Sequence, residues 1–356
     1  MSNGFYNTPI AVNEPVKEYA PGSPELTEVL TEYKRMYNTN IDVPMYIHDE
    51  MAPRVNSWSK ASAYLKISEG CDHRCAFCII PQLRGKLRSR TVDSLVVEAT
   101  RLASEGVKEI NLISQDSTAY GRDLRNGTNL GDLVRALHDI ESLEWIRVHY
   151  AYPHGVPQAF LEAMAELPKV VPYIDIPLQH INDDILMSMK RGNSNKKTNV
   201  LLEDFRNKVP GIAIRTTLIV GYPGETNEKF RQLKQWVQDT KFDRLGVFTY
   251  SHEENTSAYK LKDDVPENVK KARAQEIMDV QSHISWELNQ KKVGKIFKVL
   301  FDRKEGNYFI GRTEFDSPDV DNEVLVNVKD TYVRIGDFAN VKIEKADFFD
   351  LYGVVI

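Results

Sequence analysis

The sequence has 356 residues, of which 42% are hydrophobic and 27% charged, and this composition excludes a fibrous or disordered chain. Its length exceeds what one hydrophobic core usually fills, so we expect one large domain and a smaller one. With 46 Lys and Arg against 51 Asp and Glu, the net charge of −5 argues against a broad basic surface for nucleic acid.

The first 60 residues are rich in Pro, Asn, Ser and Glu, and only residues 23–36 have a helical pattern. Ser23 is suited to cap this helix, and Leu26, Val29, Leu30 and Tyr33 fall on one of its faces. We expect the rest of residues 1–61 to be an extended or linking segment. The N-terminus has no signal-peptide pattern, and no apolar run is long enough to span a membrane, so we expect a cytoplasmic protein without membrane partners.

Strand and helix patterns alternate from Ala63 onward. Strands are predicted at 64–67, 109–113, 145–150, 173–176, 212–220 and 244–250. Helices are predicted at 92–105, 129–140, 158–166, 183–190 and 226–239, the first of them stopped by Gly106. Such a series predicts an α/β fold with a parallel sheet and right-handed crossovers, closed or partly closed into a (β/α)6 TIM-like barrel. The chemistry of such a barrel lies at the carboxyl ends of its strands.

The character of the sequence changes beyond residue 265. A long helix is predicted at 267–290, and short segments at 296–301, 308–313, 323–328 and 340–346 then alternate with Gly and Asp turns. These segments predict a small antiparallel β-barrel. We therefore divide the chain into a linker at 1–61, a core at 62–265, a bridging helix at 266–292 and a β domain at 293–356. The β domain has nine basic and twelve acidic residues, a net charge of −3.

All three cysteines of the sequence, Cys71, Cys75 and Cys78, lie within eight residues directly after the first predicted strand. An odd, clustered set is not a secreted disulfide framework, and it indicates a reducing compartment and thiolates around a metal. The C-x3-C-x2-C spacing can hold three irons of a 4Fe-4S cluster and leave the fourth iron open to a small chelating molecule. The alternative is a zinc site with His73 as the fourth ligand.

This cysteine motif, with Phe77 before the last cysteine and a (β/α)6 pattern around it, resembles the radical S-adenosylmethionine (SAM) superfamily. The resemblance implies that the open iron chelates the amine and carboxylate of SAM. It implies that reduction of the cluster cleaves the sulfonium and yields a 5′-deoxyadenosyl radical. It also places Phe77 near the adenine.

Longer segments narrow the resemblance to the methylthiotransferases of the RimO branch. They lie at 70–90, 112–121, 173–194, 214–226 and 248–259, and the likeness extends over residues 62–356, with a C-terminal TRAM domain. Enzymes of this branch attach a methylthio group to the β-carbon of an aspartate in the small-subunit ribosomal protein S-twelve. The related enzymes of the MiaB type modify an adenosine in tRNA.

Two features favour the protein substrate over tRNA. Residues 114–120 and 150–154 resemble the protein-modifying branch. An RNA-binding module gains affinity from Lys and Arg that neutralise phosphates, whereas an acidic β domain suits a strongly basic ribosomal protein. Because net charge does not describe a local groove, tRNA stays the alternative. The family also implies a reducing partner such as flavodoxin or ferredoxin, and we expect a monomer.

The resemblance implies SAM contacts at several positions near the strand ends. Ser114, Gln115 and Asp116 match the position that contacts the methionyl amine, and Arg191 and Arg215 are candidates for the carboxylate. Gln179, beside His180, suits ribose or substrate contact, and Gly221 to Glu225 resembles the adenine-contacting segment. Several of these residues have a plainer interpretation: turn caps for Ser114 and Asp116, a surface histidine for His180, and ordinary ion pairs for the two arginines.

A basic loop follows the cysteines and contains Arg84, Lys86, Arg88 and Arg90. It is interpreted either as a solvated or inter-domain loop, or as a site that attracts the target aspartate or the cluster sulfides.

The sequence departs from the family in one respect. Complete methylthiotransferases have an N-terminal domain with three further cysteines, which hold a second 4Fe-4S cluster thought to carry the sulfur. No cysteine precedes Cys71, so cysteines of this sequence cannot hold that cluster. We expect either a truncated form that cleaves SAM with little or no methylthiolation, or a divergent radical enzyme. A non-catalytic module that binds the ribosomal protein is the third alternative.

Overall fold

The computed structural model describes residues 21–38 and 61–356. They belong to two compact units, Met1–Val55 and Asn56–Ile356. The predicted linking character of residues 1–20 and 39–60 lies outside the described residues. Within the described part, no helix is both long enough and apolar enough to cross a membrane.

The α-helices of the described residues are α1 (Pro24–Asn38), α2 (Ile80–Arg84), α3 (Val92–Ser104), α4 (Leu130–His138), α5 (Gln158–Glu166), α6 (Asp183–Ser188), α7 (Asn195–Lys208), α8 (Asn227–Thr240) and α9 (Glu267–Gln290). The strands are β1 (Ser62–Lys66), β2 (Ser68–Glu69), β3 (Arg88–Ser89), β4 (Glu109–Ile113), β5 (Trp145–Val148), β6 (Tyr173–Asp175), β7 (Ala213–Val220), β8 (Arg244–Thr249), β9 (Ile296–Glu305), β10 (Tyr308–Thr313), β11 (Val324–Asn327), β12 (Phe338–Ala346) and β13 (Leu351–Val355).

Helix α1 is the described element of the first unit, and it confirms the helix predicted at 23–36. The backbone N–H of Leu26 donates to Ser23 Oγ at 3.1 Å, so Ser23 caps the helix as predicted.

Six parallel strands form the core of the second unit. They make two three-stranded sheets, in the orders β1-β4-β5 and β6-β7-β8, with every strand pair parallel. A bridge between Ile146 of β5 and Val170 connects the sheets. This arrangement confirms the predicted partial barrel. Sequence reasoning predicted no helix at α7, because its face is mostly polar and buries chiefly Thr198, Leu202 and Phe205.

Alternate residues of the core strands lie in different environments, as the two-residue period of a strand requires. In β4, Ile110 and Leu112 join the main apolar core between the sheets and the helices. Glu109 and Asn111 are also fully buried but lie among polar groups, where Ser62 Oγ donates to Glu109 at 2.9 Å. The interior of the barrel is therefore polar near the amino ends of its strands.

The C-terminal strands close into a five-stranded barrel in the order β10-β11-β13-β12-β9. The prediction of an antiparallel barrel is wrong at one pair, because β11 and β13 run parallel. Directions cannot alternate all the way around a closed ring with an odd number of strands, so at least one pair must be parallel. Sequence reasoning missed β13, which completes this ring.

The end of β10 and part of the loop between β10 and β11 contact buried residues of the core strands. Arg312 donates to Glu109 at 2.7 Å, and Arg147 of β5 donates to the same carboxylate at 3.1 Å. Arg147 also donates to the carbonyl of Glu314 at 2.8 Å. Burial by itself would raise the pKa of Glu109, but the two guanidinium groups outweigh it and lower that pKa to about 2.

A second group of ion pairs joins the same loop to β7 and β8. Arg244 pairs with the fully buried Asp316 of the loop. Arg215 Nε lies 3.4 Å from Asp321 of the loop, and Tyr173 donates to Asp321 at 2.7 Å. The C-terminal barrel therefore supplies charges that the interior of the core barrel needs as partners.

We expect Arg312→Met to lower the free energy of unfolding by about 3–5 kcal/mol, because it leaves the buried Glu109 short of a counter-ion. The matched control is Lys298→Met, which breaks the Lys298–Glu144 pair, whose side chains are 45% and 46% exposed. Its expected cost is below about 1 kcal/mol. Urea unfolding of both variants measures the difference, and equal costs would contradict a structural role for the buried network.

The network also predicts a pH dependence. The pKa of Glu109 is depressed in the folded chain, so its stabilising contribution is complete above about pH 4.5, the ordinary value. The contribution is lost as the pH falls from there toward about 2. We expect the unfolding midpoint of Glu109→Gln to fall less steeply than that of the unsubstituted chain over this range, and parallel curves would show that Glu109 does not titrate as described.

Candidate active site

The three cysteines lie on one loop that follows β2 and leads to α2, within the connection between β2 and β3. All three are partly exposed and line one cavity of about 510 Å³. Backbone hydrogen bonds fix this loop: Ala76 N–H donates to Met189 at 2.9 Å, and Ala258 N–H donates to Ala76 at 2.8 Å. The loop is therefore anchored to segments from the other half of the barrel.

A glycine at the start of the loop allows a close backbone approach. Gly70 has a φ of +83°, and a Cβ there would lie 2.1 Å from the carbonyl oxygen of Lys86. No other residue type fits this position without moving the hairpin.

Burial favours the protonated form of two of the three thiols. Burial raises the pKa of Cys71 to about 11 and also raises the pKa of Cys78. Metal binding must therefore displace their protons, as is general for thiolate ligands.

Several residues predicted to bind SAM line the same cavity. They are Phe77, Ser114, Gln115, Gln179 and Arg191. Sequence reasoning assigned no ligand contact to three further lining residues, Lys66, Tyr150 and Tyr152, although the two tyrosines lie in the segment 150–154 that resembles the protein-modifying branch. Lys66 ends β1, and the two tyrosines follow β5, so their position at strand ends was the available signal.

Two of the lining side chains have buried polar atoms that lack a hydrogen-bond partner in the described residues. These atoms are Gln179 Oε1 and Arg191 Nε, on side chains that belong to residues only 8% and 5% exposed. A buried polar group without a partner is costly, so such atoms indicate a missing ligand or water. Gln179 can accept a hydrogen bond from a ligand, and Arg191 can donate one.

A stack of side chains forms the wall beside Cys75. The guanidinium of Arg191 lies 4.3 Å from the ring centre of Tyr152, whose hydroxyl donates to the Arg191 carbonyl at 2.8 Å. The His73 ring stacks on Tyr152 with 3.6 Å between centroids. Arg191 Nη1 also lies 3.4 Å from Cys75 Sγ, within hydrogen-bond distance. These contacts hold Arg191 and the cysteine loop in one rigid wall.

Two predicted SAM contacts do not line this cavity. Asp116 is buried behind the wall, where its Oδ2 lies 2.6 Å from His73 Nε2 and its Oδ1 accepts from Thr118 N–H at 2.9 Å. Arg215 donates to Asp175 at 2.7 Å and also pairs with the C-terminal loop. The structure thus favours the plainer interpretations, a cap for Asp116 and an ion pair for Arg215.

The turn from Gly221 to Glu225 also lies outside the cavity lining. Glu225 accepts from Gly221 N–H at 3.1 Å and from Arg273 of α9 at 2.7 Å. Gly221 has a φ of +74°, and a Cβ there would lie 2.3 Å from Lys270 Cγ. His180 is fully buried, 3.3 Å from Glu225, so its interpretation as a surface histidine is wrong.

The basic loop after the cysteines is only partly engaged in contacts. Arg90 pairs with Glu98 at 2.6 Å, and Arg84 lies 3.8 Å from Glu69. Lys86 and Arg88 are exposed.

The cysteine geometry bears on the choice between a cluster and zinc. Among the described residues, no group of three or more Cys, His, Asp and Glu side chains is arranged to hold a single metal ion. A cluster binds each thiolate to a different iron, so it does not require the three sulfurs to converge on one point. The loop supplies the three thiolates of such a cluster, whereas a structural zinc ion takes four ligands.

Comparison with known proteins agrees with this site. The model of the Radical SAM superfamily matches residues 65–237, and that of the TRAM domain matches residues 293–356. The ribosomal protein uS12 methylthiotransferase RimO of Christiangramia forsetii is 58% identical over 308 residues, which cover 86% of this chain and 68% of that protein. The chain belongs to the RimO family of radical SAM methylthiotransferases.

Other RimO proteins match this chain to a similar degree. Those of Flavobacterium psychrophilum and Flavobacterium johnsoniae are 60% and 59% identical over 86% of the chain, which spans 71% and 70% of their lengths. These matches confirm the resemblance found in the sequence. Among solved structures, Escherichia coli coproporphyrinogen III oxidase (HemN) aligns with a TM-score of 0.48 and 21% identity over 65% of this chain and 54% of that one.

We expect anaerobic reconstitution of this RimO-family chain to give about four irons per chain, the content of one 4Fe-4S cluster. Cys71→Ala, Cys75→Ala and Cys78→Ala should each lose most of the iron. Exposed Met187→Ala, which lies outside the cavity lining, is the control and should keep it. Iron and zinc analysis checks this, and about eight irons, or zinc in place of iron, would contradict the ligand assignment.

Proposed function

We propose that this chain is a radical SAM methylthiotransferase that acts on the β-carbon of an aspartate in ribosomal protein uS12. The observation that carries the proposal is the shared cavity, which brings three cysteines together with the unpartnered Gln179 and Arg191. Relatives 58% and 60% identical to this chain are named as ribosomal protein uS12 methylthiotransferases.

The residues of the cavity fit a cluster with bound SAM. Cys71, Cys75 and Cys78 would hold three irons, and the cavity volume of about 510 Å³ suits a ligand of the size of SAM. Arg191 has a free donor for the methionyl carboxylate, and Gln179 has a free acceptor for a ribose hydroxyl or an ammonium group. When bound together, the reduced cluster and SAM supply a one-electron cleavage that produces an oxidant able to remove hydrogen from carbon.

The other residues of the cavity would orient SAM and the substrate rather than transfer protons. The described lining of the cavity contains no Asp or Glu, and His73 is held between Asp116 and the Tyr152 ring. Removal of a hydrogen atom from carbon needs no general base, and this lining suits that requirement. Phe77, Ser114 and Gln115 would position SAM from the walls of the cavity.

The charge of the C-terminal domain supports a protein substrate. Its net charge of −3 suits a basic ribosomal protein, whereas an RNA-binding module would gain affinity from basic groups.

The cysteines of this chain leave none to hold a second, sulfur-carrying cluster. All three are in the cavity loop, so they can hold one cluster only. We propose that the cluster held by these three cysteines serves SAM cleavage, and that methylthiolation needs a second cluster held by other cysteines. We further propose a monomer that works in the cytoplasm with a flavodoxin or ferredoxin as its reductant.

The reconstituted chain should form 5′-deoxyadenosine from SAM under reducing conditions. Mass analysis should then show a mass gain on uS12 only when a cysteine-rich N-terminal domain is supplied, and no change in tRNA. Cys75→Ala is the negative control for both readouts.

Three results would contradict parts of this proposal. A hypermodified adenosine in tRNA with unchanged uS12 would favour the tRNA alternative. A fully loaded cluster that gives no 5′-deoxyadenosine would favour a non-catalytic module. Full methylthiolation by this chain alone would overturn the need for a second cluster.

A further inference from the structure

Tyr150 has a backbone conformation that its side chain disfavours. Its φ is +60°, in the left-handed region, which is an outlier for a bulky residue. Seven non-glycine residues of the described part have a positive φ, and Tyr150 is the single aromatic residue among these seven. Residues held in such conformations cluster at functional sites, where surrounding contacts must enforce them.

The contacts that enforce this conformation come from buried groups. Tyr150 N–H donates to Asp175 Oδ2 at 3.3 Å, and the Tyr150 carbonyl accepts from Ser117 N–H at 3.0 Å. Asp175 is itself fixed by Arg215, and its carbonyl accepts from Ala151 N–H at 2.8 Å. The backbone on both sides of Tyr150 is therefore held in place by the barrel.

The result of this conformation is an exposed ring at the cavity. Tyr150 lines the cavity and is 47% exposed, whereas the neighbouring Ala151 and Tyr152 are 2% and 9% exposed. Its hydroxyl has no hydrogen-bond partner among the residues that the structure describes. One side of the ring lies against His149, with 5.8 Å between the ring centroids, and the rest of the ring is open to solvent at the cavity.

We propose that Tyr150 contacts the peptide substrate at the open end of the cavity. The two unpartnered groups that fit SAM, on Gln179 and Arg191, lie on residues at most 8% exposed, so the exposed Tyr150 ring lies at the solvent side of the ligand they would hold. A tyrosine ring offers a large, rigid, amphipathic surface to a peptide and a face for the cations of a basic chain. This inference rests on the proposed function, because it assigns the peptide side of the same site.

The test compares Tyr150→Gly with Arg125→Gly in the reconstituted full chain. Arg125 also has a positive φ, +55°, but it is exposed and lies outside the cavity lining. Glycine relieves the backbone strain at either position, so both melting temperatures should stay within about 3 °C of the unsubstituted chain. A labelled peptide with the target-aspartate loop of uS12 should bind Tyr150→Gly about tenfold more weakly or worse, and Arg125→Gly unchanged. Tyr150→Phe should recover most of the affinity, because it keeps the ring.

The outcomes separate this inference from the proposed function. Unchanged peptide affinity in Tyr150→Gly would overturn the inference while leaving the function intact. If Tyr150→Gly binds SAM more weakly but the peptide equally well, Tyr150 contacts SAM rather than the peptide, and the inference is also overturned. A melting temperature well below that of Arg125→Gly would show a structural role instead. If the unsubstituted chain neither binds nor modifies the uS12 peptide, the proposed function itself fails.

Discussion

The buried ion pairs between the core barrel and the loop of the C-terminal barrel are the constraint on which the rest of the second unit depends. Glu109, Arg147 and Arg244 are buried at the amino ends of parallel strands, where water cannot solvate them. Arg312 of β10 and Asp316 of the loop that follows it complete their pairing. An unpaired charge at this depth would cost several kcal/mol, so each barrel requires the other.

The same contacts extend to the candidate active site. Asp321 of the C-terminal loop lies beside Arg215, Arg215 donates to Asp175, and Asp175 holds the backbone N–H of Tyr150. A series of charged and polar groups therefore connects the C-terminal domain to a residue that lines the cavity. Arg215 has a structural role in this series, and that role differs from the contact with SAM that the family resemblance implied.

The sequence predicted most of the fold, because the core strands and helices have clear periodicity. The cysteine loop was also predictable, since three cysteines at this spacing directly after a strand are typical of a cluster site. The polar interior was not, because Glu109 acquires its two arginine partners only when segments 38 and 203 residues apart meet. The parallel β11–β13 pair follows from ring closure and has no local signal. The conformation of Tyr150 is enforced by Asp175 and Ser117, so no propensity of the residue itself could reveal it.

Electron–nuclear double resonance spectroscopy, with SAM labelled by nitrogen-15 at its amine and by oxygen-17 at its carboxylate, tests the central claim most directly. If Cys71, Cys75 and Cys78 hold a cluster with one open iron, the reduced cluster should show hyperfine coupling to both labels. That coupling should weaken when Arg191, whose free Nε faces the same cavity, is replaced by Met. A fully assembled cluster that shows coupling to neither label would contradict the assignment of this cavity to a SAM-binding cluster.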